Sequence, residues 1–352
     1  LQHFTNCRLF KLLLSKYKPA FVVQHDYIGI DNMYLFHWTK KMLPKCLKIV
    51  MLTSFPSNKN TKKFNTQFVE MSVNRYVARL KLPSAMVGAA RKLAVYTLSL
   101  WKNILVPVIA LRERPYFPLS ENINIDIIPS RPLYDYYFFY TSCEKNYMDW
   151  LFADADMNQD MPHRVIRCPI IDIYDVNSFL YNVKVQNAVS ISPSLIGLRD
   201  FKAEEPTLRK WVQALNLLRD KLPDFEFIIK FHPGNKSSRL KTVKEYLKQN
   251  CSFLQIYESS AGAEALMLNS RVIVGDVSST LWWSNFIENK TVISLDMQDF
   301  EGSSDMLLYP DILYFENMND LSKLDVPVLV AEQIKKSPRN NHPSLTDVLG
   351  LI

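Results

Sequence analysis

The chain has 352 residues, 48% hydrophobic and 22% charged, with a formal net charge of +7. That composition excludes disorder, collagen and coiled coil, and the length suits two domains. The eight glycines hold no G-x-G spacing and no G-K-S/T, so the dinucleotide fingerprint and the P-loop are both excluded.

The first half reads as helix over 9–16, strand over 19–24, helix over 34–42 and strand over 47–53 (LKIVMLT). Residues 71–111 read as mostly helical, and 134–141 (YDYYFFYT) as a strand. The apolar stretch 98–111 is broken by Lys102, Asn103 and Pro107, and is too short and polar to span a bilayer. Charge is uneven here. Between Asn32 and Arg112 there are 14 Lys and Arg against one acid, Glu70, so this segment carries +13 and the remainder −6. Apolar and aromatic residues are interleaved with these charges (Leu35, Phe36, Trp38; Leu98, Trp101, Leu105). That mixture suits an anionic membrane surface, with a solvated basic face over an ordinary core as the plain alternative. No nucleic-acid-binding motif occurs, and no nucleic acid partner is expected.

Five cysteines (Cys7, Cys46, Cys143, Cys168, Cys251) are scattered, with no C-x-x-C pair, and the six histidines form no H-x-x-x-H or H-E-x-x-H. A reducing compartment and buried, unpaired thiols are expected, and neither metal nor other cofactor is. Asp154-Ala155-Asp156 is formally a D-x-D, but no good strand precedes it, and a polar loop is the expected reading.

The second half is more regular. Strands are expected over 185–192, 225–231 (FEFIIKF), 253–257, 271–275 and 291–295, alternating with helices over 205–222, 240–249, 261–268 and 280–288. Alternation of this kind specifies a parallel sheet with helices on both faces. The fold class expected is α/β: two Rossmann-like domains, residues 1–180 and 181–352, with parallel sheets facing a central cleft. The first has room for a first strand before Leu1.

In an open parallel sheet, ligands bind beyond the carboxyl ends of the strands. Three polar clusters of the second half fall at such ends: Ser192-Pro193-Ser194, Lys230-Phe231-His232-Pro233-Gly234-Asn235, and Gly275-Asp276-Val277-Ser278-Ser279-Thr280. Hydroxyls and free N–H groups at the start of a helix make an anion site, and fixed donors there stabilise a leaving phosphate without metal. The bland readings are an N-cap for the Ser-Ser-Thr and a turn for His-Pro. In the first half, the loop His25-Asp26-Tyr27-Ile28-Gly29-Ile30-Asp31 follows a strand, where an imidazole or carboxylate can take a hydroxyl proton.

The succession KFHPGN, AEALMLNSRVIVGDVSSTLWW and NKTVISLDM, within residues 185–300, resembles the C-terminal half of GT-B enzymes that build bacterial surface polysaccharides. The group includes the capsule-type sialyl- and Kdo-transferases and the CDP-glycerol glycerophosphotransferases of teichoic acid synthesis. The resemblance implies a GT-B-like fold, a nucleotide-activated donor, and phosphate contacts from His232, Ser278 and Ser279, with Thr280 beside them. Ser192, Ser194, Lys230, Pro233 and Gly234 complete the expected donor site, and Asp26, His25 and His232 are the catalytic candidates. Two departures stand out. Trp282-Trp283-Ser284-Asn285 occupies the place where many relatives carry a Glu, and no H-G-T-P-like loop occurs in the first half.

The function expected is metal-independent transfer of a sugar, with a CMP-sugar among the candidate donors, to a glycan or glycolipid. The site would be the cytoplasmic side, at the inner face of a membrane. The alternatives are a CDP-polyol phosphotransferase, a sugar-nucleotide epimerase on the same fold, and a non-catalytic GT-B-like protein that binds a membrane or partner.

Overall fold

The computed structural model describes residues 2–24, 30–51, 83, 86, 89–90, 93, 135–145, 163–169, 186–193, 201–231, 237–258, 263–276, 278–297, 306–307, 309, 311–333 and 342–351. The chain divides into two compact units, residues 1–165 and 166–352. The segment 172–185, where the sequence suggests a cut, lies outside the described residues.

In the first unit, α1 (Gln2–Tyr17) leads into β1 (Phe21–Gln24), and α2 (Ile30–Met42) into β2 (Leu47–Met51). Strands β3 (Tyr136–Phe139) and β4 (His163–Val165) follow, and the sheet is parallel in the order β1-β2-β3-β4. Helix α1 ends where Lys18, at φ 43°, enters the left-handed region and its N–H donates to Leu14 O at 3.0 Å. Pro19 cannot extend the helix, so the chain turns into β1. Helices α1 and α2 pack together, with Lys11 Nζ 3.5 Å and Lys41 Nζ 5.4 Å from the ring centroid of Trp38.

Strand β2 is apolar and central, and Ile49 and Val50 are wholly buried. Its one charge, Lys48, donates to Cys46 O at 2.9 Å and pairs with Asp135 at 2.8 Å. Asp135 also accepts from Lys48 N–H at 2.9 Å, while its own N–H donates to Lys48 O. A buried ammonium is thus satisfied by groups that also fasten β2 to the start of β3. Beyond β3, Thr141 and Glu144 form a capping box: Glu144 accepts from the N–H and the hydroxyl of Thr141, both at 2.6 Å. Of the stretch 71–111, Met86, Ala89, Ala90 and Leu93 are described as helical.

The second unit contains β5 (Gln186–Ser192), α3 (Phe201–Lys221), β6 (Glu226–Ile229), α4 (Ser237–Asn250) and β7 (Leu254–Ile256). There follow α5 (Glu264–Asn269), β8 (Ser270–Gly275), α6 (Ser279–Ser284) and β9 (Thr291–Leu295). Four elements not read from the sequence come after: β10 (Ile312–Phe315), α7 (Met318–Lys323), α8 (Val326–Gln333) and α9 (Leu345–Leu351). All six strands are parallel, in the order β10-β9-β8-β5-β6-β7.

One face of this sheet carries Val189, Ile191, Val272, Val274, Ile293 and Leu295 against Leu208, Trp211, Leu215 and Leu218 of α3. Those four α3 residues recur at helical spacing and are wholly buried, each worth about 1.5–3 kcal/mol of burial. The opposite face is covered by α5, on β5 and β8, and by α6, on β8 and β9.

At the amino-terminal edge of the sheet, Lys290 is fully buried. Its Nζ donates to Leu268 O at 2.7 Å and Ser270 O at 2.6 Å, which caps the end of α5. Burial, reinforced by the nearby charge of Arg271, lowers its pKa to about 7. The neutral amine still offers the two N–H groups that the two carbonyls require. Asn289 makes the turn into β9 at φ 56°, a conformation Asn tolerates well.

Cys46, Cys168 and Cys251 are buried free thiols and Cys143 is half-buried, as expected for small apolar fillers. No helix among the described residues is long and apolar enough to cross a membrane.

Candidate functional site

From β5 the chain moves outward to β6 and β7, then returns to the other side of β5 for β8, β9 and β10. The order therefore reverses between β5 and β8. Connections leave those two strands in opposite directions, and the space beyond their carboxyl ends is where such sheets receive ligands.

The register draws one transverse row across that edge. Ser192 pairs with Gly275, Gly275 with Ser294, and Ser294 with Tyr314. On the other side the ladder continues past the ends of β6 and β7, with Lys230 N–H donating to Ile191 O at 3.0 Å and Tyr257 N–H to Ile229 O at 2.9 Å. Lys230 is thereby set beside Ser192, and Tyr257 beside Lys230. Cross-strand partners share a sheet face, so Tyr314, Ser294, Gly275, Ser192, Lys230 and Tyr257 lie on one side. Apart from Gly275, every residue in the row carries a polar group, whereas the row directly beneath it runs Leu313, Ile293, Val274, Ile191, Ile229 and Ile256. An apolar core does not require this.

At the middle of the row there is no room for a side chain. A Cβ on Gly275 would stand 2.9 Å from Ser192 O and 3.2 Å from Leu281 Cγ, so only glycine lets β5 and α6 approach here. Lys230 is 7% exposed, and its Nζ lies 5.4 Å from the ring centroid of Tyr257. Asp276, directly after Gly275, is 4% exposed. Asp296, directly after β9, accepts from Tyr314 Oη at 3.1 Å. The buried hydroxyls of Ser294 and of Ser190, two residues before Ser192 on the same face of β5, have no hydrogen-bond partner among the described residues.

Ser278 is the N-cap of α6, extended at φ −149° and ψ 154°, and its Oγ accepts from Leu281 N–H at 3.4 Å. The capping role is thus filled, and the hydroxyl proton is still available to donate outward. Helix α6 has six residues, too short for its dipole to hold an anion without other donors. Thr280 is half-buried, and its carbonyl accepts from Ser284 Oγ at 2.6 Å. The side chain of Ser279 is not described.

Of the expected site, the second unit thus brings Ser192, Lys230, Ser278, Ser279 and Thr280 to one edge. His25, Asp26, Ser194, His232, Pro233 and Gly234 lie outside the described residues, as do Asp154 and Asp156. Among the described residues, no group of three or more His, Cys, Asp and Glu is placed to hold a metal ion.

No family model matches this chain, and no curated protein matches it in sequence. In three dimensions it is similar to the UDP-GlcNAc 2-epimerase of Methanocaldococcus jannaschii, at 13% identity and a TM-score of 0.52, over 100% of this chain and 82% of that one. The fold is GT-B-like. Two more distant structures are the same epimerase in complex with UDP-GlcNAc and UDP (13% identity, TM-score 0.49, 100% and 81% covered) and a glycosyltransferase from Rickettsia africae (12%, 0.48, 99% and 80%).

Within this GT-B-like chain, Tyr257, Ser294, Asp296 and Tyr314 were not singled out by sequence reasoning. Each sits at or just past a strand end, but only the register of six strands shows that three of them, Tyr257, Ser294 and Tyr314, form a line with Ser192 and Lys230.

Proposed function

We propose that this protein is a metal-independent GT-B glycosyltransferase that moves a sugar from a nucleotide-activated donor to a glycan or glycolipid. The observation that carries this reading is the polar row at the switch point of the second sheet, in a fold that nucleotide-sugar enzymes use. The resemblance of KFHPGN and DVSST to the capsule-type sialyl- and Kdo-transferases favours a CMP-linked donor for a surface polysaccharide.

In this reading Lys230, His232 and the hydroxyls of Ser192, Ser194 and Ser278–Thr280 hold the phosphate of the donor, with Pro233 and Gly234 shaping the turn. Asp26 or His25 takes the proton of the acceptor hydroxyl as its oxygen bonds to the anomeric carbon. The bond from that carbon to the phosphate oxygen breaks, and the charge left on the nucleoside phosphate is met by Lys230 and His232. The positive charge of segment 32–112 suits an anionic acceptor or the lipid that carries it.

Thermal shift with CMP, CDP, UDP and GDP, each with and without Mg, tests this on the wild type, His232→Ala and Lys230→Met. One nucleotide should stabilise the wild type equally with and without metal, and neither variant. Absence of any shift on the folded wild type removes the donor site. The similarity in fold to an epimerase makes one control necessary. Conversion of UDP-GlcNAc without any acceptor would replace transfer by epimerisation.

A further inference from the structure

We propose that α1 is a docking helix for an anionic lipid surface. Its outward side carries Leu9 (49% exposed), Leu12 (61%), Leu13 (42%) and Tyr17 (65%), at spacings that place all four together, while Leu14 at 3% faces inward. Leu14 and the contact with α2 anchor the helix on its inner side, and the four exposed residues form a second apolar stripe on the other. Contiguous exposed apolar patches mark interaction surfaces.

Charge selects the occupant. Helix α1 has Arg8, Lys11 and Lys16 and no acid, Lys18 follows it directly, and Lys40 and Lys41 close α2. Arg8, Lys16 and Lys18 are exposed. Trp38 sits between Lys11 and Lys41 at the seam of the two helices. Leucine and tyrosine between basic side chains, with a tryptophan at the margin, match the acyl boundary and the anionic headgroups together. A second copy of this chain would set Arg8, Lys11 and Lys16 against the same cations, so self-association on this face is disfavoured.

This deepens the proposed function, on whose reading of a membrane-borne acceptor it rests, and it places the docking surface largely outside residues 32–112. The test is co-flotation of the full chain with phosphatidylglycerol–phosphatidylcholine vesicles and with phosphatidylcholine alone, at low and high salt. The wild type should float with the anionic vesicles at low salt and be released by high salt. Leu12→Ser/Leu13→Ser should keep its melting temperature, because both side chains are exposed, and partition roughly tenfold more weakly or worse. Equal flotation of the variant, no flotation of the wild type, or a lipid-free oligomer dissolved by the double substitution overturns the proposal. Nucleotide shifts on the same samples separate the two readings. Flotation without any shift leaves docking standing and removes the transferase, and a shift without flotation does the reverse.

Discussion

Gly275 and Ser192 face each other across the switch point so closely that a methyl group on the glycine would stand 2.9 Å from the serine carbonyl oxygen. That oxygen belongs to a strand paired on both sides, so it cannot retreat alone.

Gly275→Ala is therefore expected to destabilise the protein by about 1–3 kcal/mol, the usual cost of overpacking. Urea unfolding measures it. Gly350→Ala is the control: Gly350 lies in α9 with no atom within 4 Å of the added carbon, so the alanine should gain roughly 0.5 kcal/mol of helix propensity. Equal effects at the two positions would refute the close approach of β5 and β8.

Ser278 has a capping role in the structure and a proposed role at the donor, and one substitution separates them. The cap bond is long at 3.4 Å, so Ser278→Ala should cost only about 0.5 kcal/mol of stability, the low end for caps. Loss of a hydroxyl that donates to a phosphate should weaken nucleotide binding about tenfold or more. Calorimetry on the variant decides. Unchanged affinity with lowered stability means that Ser278 only caps.

Lys290 makes stability depend on pH in a direction opposite to a paired lysine. Its pKa is lowered on folding, from 10.5 to about 7. Between those values the unfolded chain holds a proton that the folded chain has lost, so this residue's contribution to stability rises with pH across that window. Below pH 7 the buried charge imposes its full cost. Wild type should gain on Lys290→Met by up to about 1.4 kcal/mol per pH unit between pH 7.5 and 9.5. The variant should be less stable at pH 9.5 by about 1–3 kcal/mol, because Leu268 O and Ser270 O lose their donor. Parallel stability profiles for the two proteins would contradict the lowered pKa.

The four described cysteines should react in order of exposure. Cys143 is half-buried while Cys46, Cys168 and Cys251 are buried, and burial raises the pKa of Cys251 to about 11. Maleimide labelling at pH 8 followed by peptide mass spectrometry should find Cys143 modified first and Cys251 largely intact. Early labelling of Cys251 would mean that the packing between α4 and β7 opens.

Strands with an apolar, β-branched centre were legible from the sequence. SRVIVG and TVISL become β8 and β9, and QNAVSIS becomes β5. The Trp211, Leu215 and Leu218 stripe likewise announced α3. What escaped was short or half-covered. HRV in β4 is exposed throughout, and ILYF in β10 is four residues long with one buried, so neither carries a pattern distinguishable from a loop. At the candidate site, the clusters at Ser192, Lys230 and Ser278 were legible as chemistry. Their alignment with Ser294, Tyr257 and Tyr314 was not, because it depends on the parallel register between segments distant in sequence.

The central place of β5 also has a consequence for how the chain is made. β5 leads its sheet in sequence, yet one of its two neighbours is β8, whose residues leave the ribosome several seconds later at ordinary synthesis rates. Until then the edge that will receive Val272–Gly275 is an unpaired row of N–H and C=O groups on an apolar strand. Such an edge can bind another nascent chain as readily as its own partner. A chaperone that holds extended apolar segments would have its target in residues 186–192, and slowing synthesis between α4 and β8 should lower the soluble yield.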